Sequence, residues 1–169
     1  PSAEALDRLK PWAVWMMLAR GGVTSSAPVL DELLIVEAQS RRMTVFGLER
    51  PDEQVASLET LPLATQVALV RWALANRHRV DSDREAMIEA WLARDLRRLE
   101  GLVNASAKID PAMAPHVREI NLQLLENRNI LMAHRLFLPL RVGRVFVAVG
   151  AAHLYGSRGL LALIRAQGY

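Results

Sequence analysis

Two polar residues stand where short β-branched runs end. Glu49 closes Thr44-Val45-Phe46-Gly47-Leu48, and His153 comes four residues after the last residue of Arg144-Val145-Phe146-Val147-Ala148-Val149. If both runs are strands of one parallel sheet, carboxylate and imidazole share a rim, because ligands bind beyond the carboxyl ends of parallel strands. A neutral imidazole suits a transition metal, and a carboxylate is a second ligand or a general base. The alternative leaves Glu49 paired with Arg50 or a loop amide and His153 capping the next turn. Gly150, Gly156 and Gly159 mark a tight turn with close backbone approach, which occurs at binding sites and in plain turns alike. Arg128, within an otherwise apolar helical stretch, either points to water beside Glu126 or is half-buried, and Glu49 is then a candidate partner.

The other histidines carry less. His78 lies in Arg77-His78-Arg79 at a helix end and His116 follows Pro115 at a helix start, positions where histidine mostly caps or meets solvent. His134 lies two turns beyond Asn127 and is expected to be a packed core residue, the alternative being that it joins Arg128 near a site. No GxSxG elbow, phosphate-binding loop, HExxH pair or GxGxxG is present, which removes support for several large enzyme classes.

The elements that must position these residues are mainly helices. Apolar residues at helical spacing predict helices over Ala5 to Arg20, stopped by Gly21-Gly22, and over Val29 to Arg42. The run 44–48 then predicts a buried strand that ends at Glu49-Arg50-Pro51. Helices follow at Asp52 to Leu58 and Leu63 to Arg79. The next begins at the capping-box-like Ser82-Asp83-Arg84-Glu85 and extends through Val103, its Met87, Ile88, Trp91, Leu92, Leu96 and Leu99 facing the core. Another runs from His116 to about Leu138. The run 144–149 predicts a second strand buried on both faces, and a last helix spans Ser157 to Ala166 with Gly168 as its C-cap. The expected fold is α/β, predominantly helical with a small parallel sheet, in one domain over 1–169.

Composition limits the partners. The net charge is +3, and the high isoelectric point reflects arginine, which makes up 19 of the 21 basic residues. These arginines alternate with acids, as in Arg94-Asp95-Leu96-Arg97-Arg98-Leu99-Glu100, which reads as a solvated helix face and speaks against nucleic-acid binding. The absence of cysteine excludes disulfides and thiolate chemistry. The longest apolar runs, 12–19 and 145–152, fall far short of the roughly 20 residues that span a bilayer. Pro1 is not an initiator residue, so an upstream segment, with a signal peptide, is expected to have been removed.

Several segments resemble the TraB/PrgY/GumN family, which includes the TIKI proteases. They are Leu9-Lys10-Pro11-Trp12, Leu30-Asp31-Glu32-Leu33-Leu34 with Ala38, Val45-Phe46-Gly47-Leu48-Glu49, Gln54, Leu61-Pro62, Gln66, Trp91 with Asp95, and Arg128-Asn129 with Met132-Ala133. The most specific is Val147-Ala148-Val149-Gly150-Ala151-Ala152-His153-Leu154-Tyr155-Gly156, and Gly159-Leu160-Leu161 and Gly168-Tyr169 also fit. The resemblance implies an α/β fold like the erythromycin-esterase/ChaN group and a peptidase-like hydrolase using a divalent metal (Zn, Mn or Co) near two GxxH motifs. Glu49, Arg128 and His153 match its functional positions: His153 and Glu49 as metal ligands, Glu49 alternatively as general base, Arg128 stabilising the oxyanion. It also implies a bacterial protein, periplasmic or secreted, acting on a peptide or small molecule.

Two departures stand out. The family's first GxxH has no counterpart and is expected upstream of Pro1, so the chain is expected to lack its N-terminal segment, to hold half a site and to be inactive alone. Asn127 stands where many relatives carry Glu. The rival expectation is a non-catalytic binding or regulatory domain of the same fold. A third treats the chain as an interaction surface that forms a homodimer.

Overall fold

In the computed structural model, which describes Glu4, residues 8–20 and residues 26–169, helices carry almost all regular structure. They are α1 (Pro11–Arg20), α2 (Leu30–Ser40), α3 (Pro51–Glu59), α4 (Leu63–Ala75), α5 (Val80–Leu92), α6 (Leu96–Val103), α7 (Ala105–Ile109), α8 (Ala114–Ile120), α9 (Asn127–Val142) and α10 (Leu160–Ala166). The start of the helix expected from Ala5 and its Gly21-Gly22 stop lie outside the described residues.

The expected parallel sheet is absent, and this corrects the α/β assignment: among the described residues the fold is all-α. A strand is held by a ladder to a neighbour, and neither apolar run has one among the described residues. Residues 44–49 and 144–150 are irregular, and no backbone bond links the two runs. Each instead lies on helices: Leu48, Val147 and Val149 pack on a core of Met132, Ala133 and Leu136 from α9 and Leu160 from α10. Between the runs and α2 lies an open groove of about 320 Å³ lined by Leu34, Met43, Phe46 and Phe146. The pattern signalled burial, and packing on helices supplied it without pairing. Positive φ marks the entry to both runs, Arg42 (φ 54°) before one, and Gly143 (φ 84°) before the other, whose first residue Arg144 is also left-handed (φ 60°).

Two further helices differ from expectation. The helix expected to start at Ser82 begins at Val80, and it breaks before Val103. Arg94 turns left-handed (φ 57°) and Asp95 caps α6 by accepting from the Arg98 amide at 2.9 Å, as an N-cap aspartate does. The break leaves Met87, Ile88, Trp91 and Leu92 exposed, while Leu99 is buried. The helix expected over His116 to Leu138 is also interrupted: a π-helical stretch, Asn121–Glu126, lies between α8 and α9. At the chain end Gly168 (φ 94°) donates to Arg165 O and Tyr169 to Ile164 O, the Schellman pattern that makes glycine the natural C-terminal stop.

A second core joins Leu69 of α4 to Met113 and to Val117 of α8, with Trp15 and Trp72 packed against it. Buried Gln66 ties α1 to this region, accepting from the Trp12 amide and donating to Leu61 O at 2.7 Å. No helix among the described residues is long and apolar enough to cross a membrane.

Candidate functional site

Helix α9 assembles the site by placing consecutive residues on two neighbours. Arg128 faces the loop that follows the first apolar run. Its Nε donates to Glu49 Oε1 at 2.8 Å and its Nη2 to Oε2 at 2.7 Å, a bidentate fork of the kind that pairs guanidinium with carboxylate most strongly. Nη1 donates to Leu124 O in the π-helical stretch. The Glu49 side chain is 4% exposed and that of Arg128 21%. The pairing raised for Arg128 from sequence is present, and Glu49 does not pair with Arg50, which instead holds Asp52.

Asn129 faces the other way. It shares a stripe with Met132, Ala133 and Leu136, all buried, at the three- and four-residue spacing of one helix face. A buried amide needs partners. Its Oδ1 lies 2.7 Å from His153 Nδ1 and its Nδ2 donates to Arg158 O at 2.9 Å. His153 ends a 3-10 turn, Ala151–His153, that follows the second run through Gly150, and is 8% exposed. Its Nε2 has no hydrogen-bond partner among the described residues, and it is not among the buried orphan atoms.

Burial holds the His153 imidazole below the usual histidine value, the positive Arg128 adds to this, and Glu49 opposes it. At neutral pH the ring is therefore uncharged. As pH falls the unfolded chain takes the proton first, so the contribution is complete above about pH 6.5 and is lost as pH falls through the folded value. In urea titrations from about pH 8 down to about pH 5, wild type should lose more stability than His153→Gln. Parallel losses would contradict a depressed His153.

The glycines divide in function. A Cβ on Gly150 would make only ordinary contact with His153, and Gly156 takes a left-handed backbone (φ 85°). Gly159 provides the close approach: a Cβ there would lie 2.1 Å from Tyr155 O.

A second fork was not read from sequence. Arg135, seven residues after Arg128 and so on the same helix face, grips Glu53 through Nη1 and Nη2 at 2.7 and 2.6 Å, and Nη1 also donates to Leu48 O. Arg135 and the Arg50 amide hold the Glu53 carboxyl well below its usual range, at about 2. The seven-residue spacing of two arginines, facing two glutamates four apart, was the available signal. Asn129 could have been found as the one polar residue on the buried stripe.

The remaining candidates lie elsewhere. Asn127 is exposed and donates to Gln123. His78 is exposed, and His134 is exposed rather than packed in the core. His116 ties α8 to α4, its Nδ1 3.0 Å from the buried Thr65 hydroxyl. A polar cavity of about 210 Å³ opens beside Asn129, lined also by Glu100, Asn121, Glu126 and Tyr155.

A divalent ion in a hydrolytic site takes about three protein ligands and an open position. Here His153 offers one free lone pair, both Glu49 oxygens are engaged by Arg128, and the described residues hold no group of three or more His, Asp and Glu. These residues do not by themselves fit such an ion.

The model of the TraB/PrgY/gumN family matches residues 1–169. No curated protein and no solved structure matches the chain.

Proposed function

The chain belongs to the TraB/PrgY/gumN family, and from that premise we propose that it carries a peptidase-like hydrolytic site centred on His153. The observation that carries the reading is a neutral, nearly buried imidazole whose second nitrogen is unengaged and which feels the charge of the fixed Arg128 guanidinium. In this reading His153 Nε2 takes a proton from the attacking water as general base and returns it to the leaving amine when the tetrahedral intermediate collapses. Arg128 keeps two N–H groups beyond the three it uses. These donate to the oxygen that gains charge as the carbonyl is attacked. Glu49 orients the guanidinium rather than acting as ligand or base, because both its oxygens are held and water scarcely reaches it.

Metal dependence is not built into this reading, because the described residues do not by themselves fit a divalent ion, and elemental analysis of the purified protein beside His153→Ala tests it. Stoichiometric Zn, Mn or Co that disappears in the variant supports it, and a metal-free folded protein leaves His153 as base alone. With any peptide the protein cleaves, His153→Ala should lower kcat by about 100- to 10,000-fold, and retained turnover would remove His153 from the chemistry.

The second reading, a non-catalytic binding domain, is favoured by the Arg135 fork. It adds a second bidentate pair two turns along α9, end-on to Glu53 in α3, as two clamps holding the 48–53 segment would. Folded protein with no turnover across a peptide screen supports it.

A further inference from the structure

We infer that Asn129 is a positioning residue that fixes the tautomer of His153, keeping the proton on Nδ1 and the Nε2 lone pair open. The inference rests on the hydrolytic reading only for what Nε2 then does.

A backbone carbonyl sets the orientation. Arg158 O can only accept, so the Asn129 atom 2.9 Å from it must be the amide nitrogen. That removes the usual freedom to exchange the two ends of an asparagine side chain. The other end, 2.7 Å from His153 Nδ1, is therefore the oxygen, and it too only accepts. In an uncharged imidazole one nitrogen donates and the other accepts, so Nδ1 carries the proton and Nε2 the lone pair. With Asn129 2% and His153 8% exposed, no water competes freely for either bond.

The carbonyl that sets this chain of bonds is itself held. Arg158 Nη1 binds Glu126 at 2.8 Å in the π-helical stretch, and Gly159 permits the 154–159 turn that carries Arg158. The same helical turn that delivers Arg128 to Glu49 thus orients the imidazole. A free histidine favours the opposite tautomer, with the proton on Nε2, which would present a donor where the reading needs a base or ligand.

Long-range proton–nitrogen correlation spectra of the nitrogen-15-labelled chain at neutral pH test this, with His153 assigned by comparison with His153→Gln. The expected spectrum places His153 Nε2 at the unprotonated end of the nitrogen range and Nδ1 at the protonated end, while exposed His78 and His134 show the free pattern. Asn129→Asp keeps an acceptor toward Nδ1, which should stay at the protonated end, although its carboxylate cannot donate to Arg158 O. Asn129→Leu removes that acceptor, and Nε2 should shift to the protonated end. A wild-type His153 protonated on Nε2, or a folded Asn129→Leu with an unchanged pattern, overturns the inference. If Asn129→Leu does not fold, the wild-type and Asn129→Asp spectra decide. The readout needs no substrate and no metal, so it stands or falls separately from the hydrolytic reading.

Discussion

Arg128→Met should lower the free energy of unfolding by about 3 kcal/mol, the lower end of the 3–5 kcal/mol seen when one partner of a buried ion pair is removed. The cause is what remains: the Glu49 carboxylate, 4% exposed, loses both guanidinium bonds while staying out of water. The lower end applies because the Arg128 side chain is 21% exposed and water can partly fill its place. The double variant Arg128→Met/Glu49→Gln should recover part of the loss, since it removes the orphaned charge together with its partner. Urea denaturation of wild type, both single variants and the double variant measures this. A loss under about 1 kcal/mol, the range of exposed pairs, would mean that Glu49 is not tied to Arg128 in solution, and would reopen its roles as metal ligand or base.

The second large effect is at Gly159, and it arises from space rather than backbone angle. Its φ of −71° suits any residue, but an added Cβ would meet Tyr155 O at 2.1 Å and Tyr155 C at 2.5 Å. Both are backbone atoms, so no rotamer change relieves the clash and the 154–159 turn must move. Overpacking of this kind costs about 1–3 kcal/mol, and Gly159→Ala is expected at the upper end, visible as a fall in Tm. Because Arg158 O anchors Asn129, the movement should also disturb the His153 tautomer. Gly150→Ala, with only a 3.7 Å contact, is the control and should change Tm little. A Gly159→Ala protein as stable as wild type would show that the turn is looser than described.

Most helices were legible, because amphipathic spacing and proline or glycine punctuation are local properties. The helices at 30–40, 51–59 and 63–75 lie close to where the pattern put them, and the Gly168 stop follows from a single residue's freedom at positive φ. The breaks were not legible. The α5–α6 interruption needs Arg94 in a left-handed conformation, which its side chain does not advertise, and the π-helical stretch 121–126 has the same apolar leucines as an ordinary helix. The two β-branched runs were misread for a related reason. Burial and β propensity describe side-chain surroundings, whereas a strand also needs a hydrogen-bonding neighbour, and among the described residues none lies beside 44–48 or 144–149.

For the site, the sequence by itself determined the chemistry available: a GxxH histidine, an arginine inside an apolar helix, a glutamate at the end of an apolar run, and no cysteine. Tertiary structure alone decided who meets whom. It committed both oxygens of Glu49 to Arg128, 79 residues away in sequence, and gave His153 an asparagine for a partner. The physical reason is that residue type fixes charge and hydrogen-bonding capacity, while partners depend on which helix faces come within 3 Å. That is set by the packing of α9 on α10 and on the two extended runs, and no spacing within one segment records it.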